Sequence, residues 1–102
     1  KGQDTFCPMG PYLVTKDEIP DPHDLQVRLS VNEEPRQDYN TSLMSHQIPE
    51  LIAWLTRFVT LEPGDVIYTG TPGIPGSTKS GDTVEVEISG IGVLKNSVAD
   101  EK

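Results

Sequence analysis

Leu25-Gln26-Val27-Arg28-Leu29-Ser30-Val31 places an apolar side chain at every second position and a polar one between. A period of two belongs to an extended chain whose successive side chains leave opposite faces, so this stretch is a strand with one buried face. Asn32-Glu33 follows as a hairpin turn, and Pro35–Asn40 reads as the returning strand. Asn tolerates a positive φ, but Glu33 stands where glycine would be easiest, so the turn type stays open. Pro35 cannot donate to a ladder, which puts the returning strand at an edge or puts Pro35 at its start.

Beyond the hairpin the period changes. Ile48, Leu51, Ile52, Leu55 and Val59 repeat at helical spacing, and Trp54 and Phe58 widen the stripe. Pro49 suits a first helical turn, where its missing N–H has no partner to lose, and Glu50 complements the positive end of the helix dipole. Leu61-Glu62-Pro63-Gly64 closes that region. Gly64-Asp65 then turns into a short strand over Val66–Thr69, which Gly70-Thr71-Pro72-Gly73 breaks. After a loop over Pro75–Ser80, Gly81-Asp82 leads into a strand over Thr83–Ser89, with Val84, Val86 and Ile88 on one face. Gly90-Ile91-Gly92 is a tight turn into a final strand ending near Val98. Residues 1–24 are irregular, because Pro8, Gly10, Pro11, Pro20 and Pro22 interrupt any regular run. The sum is a mostly β fold (α+β class) with one amphipathic helix near residues 48–59.

A chain of 102 residues with 34% hydrophobic residues, 9 Gly and 9 Pro supports one turn-rich domain with a modest core. Its formal charge of −8, with no basic cluster, argues against nucleic acid or an anionic membrane as partner. No apolar run approaches the ~20 residues that span a bilayer. The single cysteine, Cys7, has no internal disulfide partner, and a cytoplasmic setting is the plain expectation. Lys1 opens the chain inside a loop, as a segment of a longer protein would.

Few residues carry chemistry on their own. Glu85 and Glu87 project from one face of a strand, as a divalent ion would require, but Val84, Val86 and Ile88 claim the buried face. A solvated strand face is the better reading of the two glutamates. His23 and His46 lack a ligand set at metal spacing and read as surface histidines. Cys7 has no His nearby and is a poor nucleophile candidate. Gly70-Thr71-Pro72-Gly73 is different: glycine admits a ligand to the backbone, and Thr71 offers an N–H and a hydroxyl to a small anion. An ordinary Gly/Pro turn remains the competing reading of this loop.

Read together, Lys1-Gly2-Gln3-Asp4-Thr5-Phe6, Pro8-Met9-Gly10-Pro11-Tyr12-Leu13-Val14, Leu61 to Pro72 and Gly81 to Ile88 resemble the C-terminal portion of the fumarylacetoacetate hydrolase family. The resemblance runs over nearly the whole chain, and Pro-Gly-Asp-Val-Ile-x-Thr-Gly-Thr-Pro is its specific part. It implies a mixed β-roll, with residues 1–102 forming the C-terminal segment of one catalytic domain whose upstream part is not shown. It further implies a divalent-metal-dependent enzyme that acts on 2-oxo or 1,3-dicarbonyl acids. Such enzymes cleave C–C bonds hydrolytically, isomerise or decarboxylate through an enolate. The Pro-Met-Gly-Pro-Tyr-Leu-Val stretch resembles bacterial members of aromatic catabolism that take 2-hydroxyhepta-2,4-diene-1,7-dioate type acids. Mg²⁺ or Mn²⁺ is the implied cofactor, with its acidic ligands upstream of this chain, and a homodimer is the implied assembly. Carried over residue by residue, Lys1 matches the active-site lysine, Thr5 a threonine near the metal, and Gly70 and Thr71 the substrate carboxylate loop. Glu33 and the segment Gly73–Lys79 depart from the family pattern. A noncatalytic β module that buries Leu51, Ile52 and Leu55 against a partner is the alternative expectation.

Overall fold

A computed structural model describes residues 2–101. Lys1, expected as a site residue, lies outside the described residues. Four strands form one sheet: β1 (Gln26–Val31), β2 (Glu34–Asn40), β3 (Thr83–Ile88) and β4 (Gly92–Ser97). Their order is β2-β1-β3-β4, and every neighbouring pair is antiparallel. The helix α1 spans Ile48–Leu55, and a 3-10 turn over Thr41–Leu43 links it to β2.

Directly opposed residues share a face, so Val27, Leu29 and Val31 meet Ile88, Val86 and Val84 in turn, with Leu94 behind Val86. Val27 and Val31 are the buried apolar centre of this face. Arg28, Glu85, Glu87 and Lys95 occupy the opposite face, where Lys95 Nζ lies 2.7 Å from Glu85 Oε1. The glutamate pair is therefore part of a charged outer surface, as the alternation implied.

The β1–β2 turn has positive φ at both central residues, 52° at Asn32 and 67° at Glu33, which makes it the mirror-type turn whose twist suits a two-residue hairpin. Further along, the register slips between Leu29 and Ser30: Leu29 faces Gln37 while Ser30 faces Pro35, leaving Arg36 as the extra residue of a bulge. Pro35 thus sits at an irregularity on an edge strand, where a missing N–H is tolerated. Strict alternation from Glu34 would set Arg36 and Asp38 opposite the core strand's apolar face. The bulge puts Gln37 and Tyr39 there instead.

Two expectations need correction. No strand forms over Val66–Thr69, and Val66 and Tyr68 are 55% and 70% exposed. A strand needs a neighbour to accept its ladder, and none of the described strands pairs with this segment. The helix also stops at Leu55 rather than Val59. Arg57 and Phe58 donate to the carbonyls three residues back, at Trp54 and Leu55, and the Thr56 hydroxyl returns to the Ile52 carbonyl at 2.8 Å. Those shorter loops tighten the chain into a turn and end the α-helical ladder.

Candidate functional site

His23 begins the site from an unexpected position. It is half-buried rather than a surface side chain, and its Nε2 accepts the Ile48 N–H at 3.1 Å. Its Nδ1 stands 3.7 Å from Asp21 Oδ1. The acidic Pro-rich loop thereby satisfies one orphan donor at the start of α1, while Glu50 accepts the Gln47 N–H at 3.1 Å. Together these contacts fix where α1 enters, and with it one wall of a cleft of about 260 Å³.

Leu51 of α1, Met44 and His46 before it, and Tyr39 at the end of β2 form that wall. Gly70 and Thr71 line the same cleft beside Tyr39. The Thr71 hydroxyl donates to Gln37 Oε1 at 3.0 Å, and Tyr39 Oη stands 3.4 Å from the Thr71 hydroxyl oxygen. Gln37 Nε2 donates to the Pro72 carbonyl. Gly70 and Gly73 have φ of 81° and 65°, a left-handed conformation that a Cβ would strain, and neither Cβ position meets a neighbouring atom. Among the described residues, the backbone N–H groups of Gly70, Thr71 and Gly73 donate to no other group. The loop therefore offers several unpartnered donors beside a cleft, which is what a small carboxylate needs.

The N-terminal segment reaches the same neighbourhood. A hydrogen bond between the Cys7 thiol and the Tyr68 phenol holds the phenol above its ordinary titration range, since the bond and the adjacent thiol disfavour phenolate. Cys7 is two residues from Thr5, and Tyr68 is two from Gly70. Thr5 itself is exposed, with φ of 68°, in a turn where the Phe6 N–H donates to the Gln3 carbonyl at 3.2 Å.

A larger depression of about 310 Å³ lies on the charged face of the sheet. Its Arg28 is already occupied by Asp38 at 3.4 Å and Glu87 at 4.0 Å, so its charges answer one another. Among the described residues, no three His, Cys, Asp or Glu side chains are grouped so as to hold a metal ion. These residues do not fit a metal centre of their own. No described helix is long and apolar enough to cross a membrane.

The sequence model of the fumarylacetoacetate hydrolase C-terminal family matches residues 1–99. The chain belongs to the fumarylacetoacetate hydrolase family. Its relatives include the mitochondrial oxaloacetate tautomerase FAHD2A of Bos taurus, 50% identical over 102 aligned residues that cover 93% of this chain and 32% of that protein. Among solved structures, the fold is similar to 2-hydroxyhepta-2,4-diene-1,7-dioate isomerase of Mycobacterium marinum, at 47% identity and a TM-score of 0.89 over 97% of this chain and 38% of that one. It is also similar to maleylpyruvate hydrolase of Sphingobium sp. SYK-6 in complex with manganese(II) and pyruvate, at 39% identity and a TM-score of 0.93 over 97% and 38% of the two chains. The chain spans about a third of the length of the curated relatives it matches. The fold of the family and its membership thus agree with the resemblance read from the motifs, and the family includes enzymes named as hydrolase, isomerase and tautomerase.

Gln37 and Tyr39 did not stand out in the sequence. The signal available was their spacing of two on a strand followed by Asn40-Thr41, which places both on one face but does not say which.

Proposed function

We propose that this chain supplies the carboxylate-binding wall of the active site in a divalent-metal-dependent enzyme acting on 2-oxo or 1,3-dicarbonyl acids. The reaction class is C–C bond hydrolysis, isomerisation or decarboxylation through an enolate. The observation that carries this reading is the Gly70–Thr71 loop, which lines a cleft and has free backbone donors, in a fold similar to a hydrolase solved with manganese and pyruvate. Pyruvate is itself a 2-oxo acid, the group this loop would hold. In this reading Gly70 and Thr71 bind and orient the substrate carboxylate. Lys1 would supply the ammonium charge that stabilises the developing enolate, which favours the transition state over the ground state. Thr5, two residues from the Cys7 that bonds Tyr68, would stand near the metal. Mg²⁺ or Mn²⁺ supplies Lewis acidity toward the 2-oxo acid when bound, held by carboxylates outside these 102 residues.

The complete enzyme tests this with a panel of acylpyruvates and divalent ions, and with two variants. Thr71→Ala is expected to raise KM about tenfold, the size of one hydrogen bond lost from the carboxylate loop. Lys1→Ala is expected to lower kcat more than it raises KM. A level KM in Thr71→Ala removes the loop from carboxylate binding, and unchanged turnover in Lys1→Ala removes the lysine from the mechanism.

A further inference from the structure

Gln37 connects two points of the anion loop that lie more than thirty residues away from it in sequence. The orientation of its amide follows from its partners. The Pro72 carbonyl can only accept, so the amide nitrogen faces it, and the amide oxygen is left facing Thr71. A hydroxyl has one proton to donate, and that of Thr71 goes to this oxygen at 3.0 Å. The side chain expected to touch the substrate is therefore committed to the sheet. What the loop leaves available beside the cleft is its backbone: Gly70 and Thr71 line it, and their N–H groups donate to nothing else among the described residues.

Resting on the function proposed above, we infer that Gln37 is the positioning residue of carboxylate recognition. Its amide locks Thr71 and Pro72 onto β2 so that backbone donors, not the Thr71 hydroxyl, bind the anion. The bulge at Arg36 is what makes this possible, because it turns Gln37 to the face on which the loop lies. Two bonds from one planar amide fix both the distance and the rotation of the loop, whereas a single bond would leave it free to pivot. A preorganised donor set then binds the acid without first losing loop entropy.

A double-mutant cycle in the complete enzyme decides the matter. Thr71→Val removes the hydroxyl at nearly constant volume, and Gln37→Met removes both amide bonds at nearly constant length. Each is expected to raise KM for an acylpyruvate about tenfold, with KM rising more than kcat falls, and the double variant is expected to be no worse than either single one. If Thr71→Val raises KM while Gln37→Met leaves it level, the hydroxyl touches the carboxylate directly; the lock is then wrong and the carboxylate loop stands. Multiplied effects in the double variant overturn the lock in the same way. If neither single variant moves KM, the lock and the loop assignment both fall. Should Gln37→Met not fold, Gln37→Glu replaces the donor facing Pro72 with an acceptor while keeping one for Thr71. The same rise in KM is expected of it, and a level KM overturns the inference.

Discussion

Asp82 is 6% exposed and accepts from the Asn32 side-chain amide at 2.8 Å and from the Lys79 N–H at 2.9 Å. Asn32 in turn accepts the Thr83 N–H at 2.9 Å, so one carboxylate ties the β1–β2 turn to the start of β3. The Lys79 amide bond, then the Asn32 bond, hold this carboxyl below its ordinary value of 3.8. A group depressed in the folded state stabilises the fold above its unfolded value, and that contribution disappears as pH falls through the lower folded value. Asp82→Asn has a single acceptor oxygen for two donors and leaves one facing an amide NH₂. In the complete protein its melting temperature is expected to lie below wild type at neutral pH, with the gap closing as pH drops below 3.8. A gap that stays constant in a melting series across pH would show that Asp82 does not act as a carboxylate here. The Gly-Asp start at this position was legible as a strand entry; its role as a junction of two turns was not, because Asn32 lies 50 residues away.

The β1–β2 hairpin carries the clearest local strain of any regular element. A non-glycine residue at left-handed φ pays for a close Cβ–carbonyl approach, and Glu33 has no local side-chain bond of the kind that suits Asn32. Glu33→Gly relieves that approach at the expense of a floppier unfolded chain. A net gain of about 0.5–1 kcal/mol is expected in denaturant unfolding of the complete protein, and a loss instead would mean that the Glu33 side chain is needed elsewhere. Strand spacing and the buried face of β3 were readable from alternation, and Pro35 pointed to an edge or a strand start for β2, because each depends on neighbours along the chain. The end of α1 was not. Phe58 and Val59 keep the helical spacing but lie beyond a turn, and both are exposed. Periodicity records which side chains are apolar, and backbone bonding at Thr56–Phe58 decides where the helix stops.

Across the whole molecule, the sheet has a small core for the apolar surface it carries. Val27 and Val31 are its buried hydrophobic residues, while Trp54 and Phe58, in ring contact at 5.3 Å, are 60% and 72% exposed. The radius of gyration is 15.0 Å, against about 13 Å for a compact domain of this length. Little apolar burial leaves little to offset chain entropy. The 102-residue chain expressed alone is therefore expected to unfold over a broad, weakly cooperative transition and to bind a hydrophobic dye. Trp54, the sole tryptophan of these 102 residues, reports the state of the isolated chain through red-shifted emission. A sharp calorimetric transition for the isolated chain would contradict this.

Alternation and helical spacing were sufficient to specify a hairpin, a helix and the strand over Thr83–Ile88, since each rests on residues close together in the chain, while the family was legible as a resemblance in motifs spread from Lys1 to Ile88. Whether Gln37 faces the Thr71–Pro72 loop or the opposite side of the sheet rests on the register slip beside Arg36, and the cap on α1 rests on His23 folding back across 25 residues. Both depend on which distant backbone groups meet. A strand's side-chain pattern is unchanged by a bulge in its pairing, so no local reading of these residues could distinguish the two outcomes.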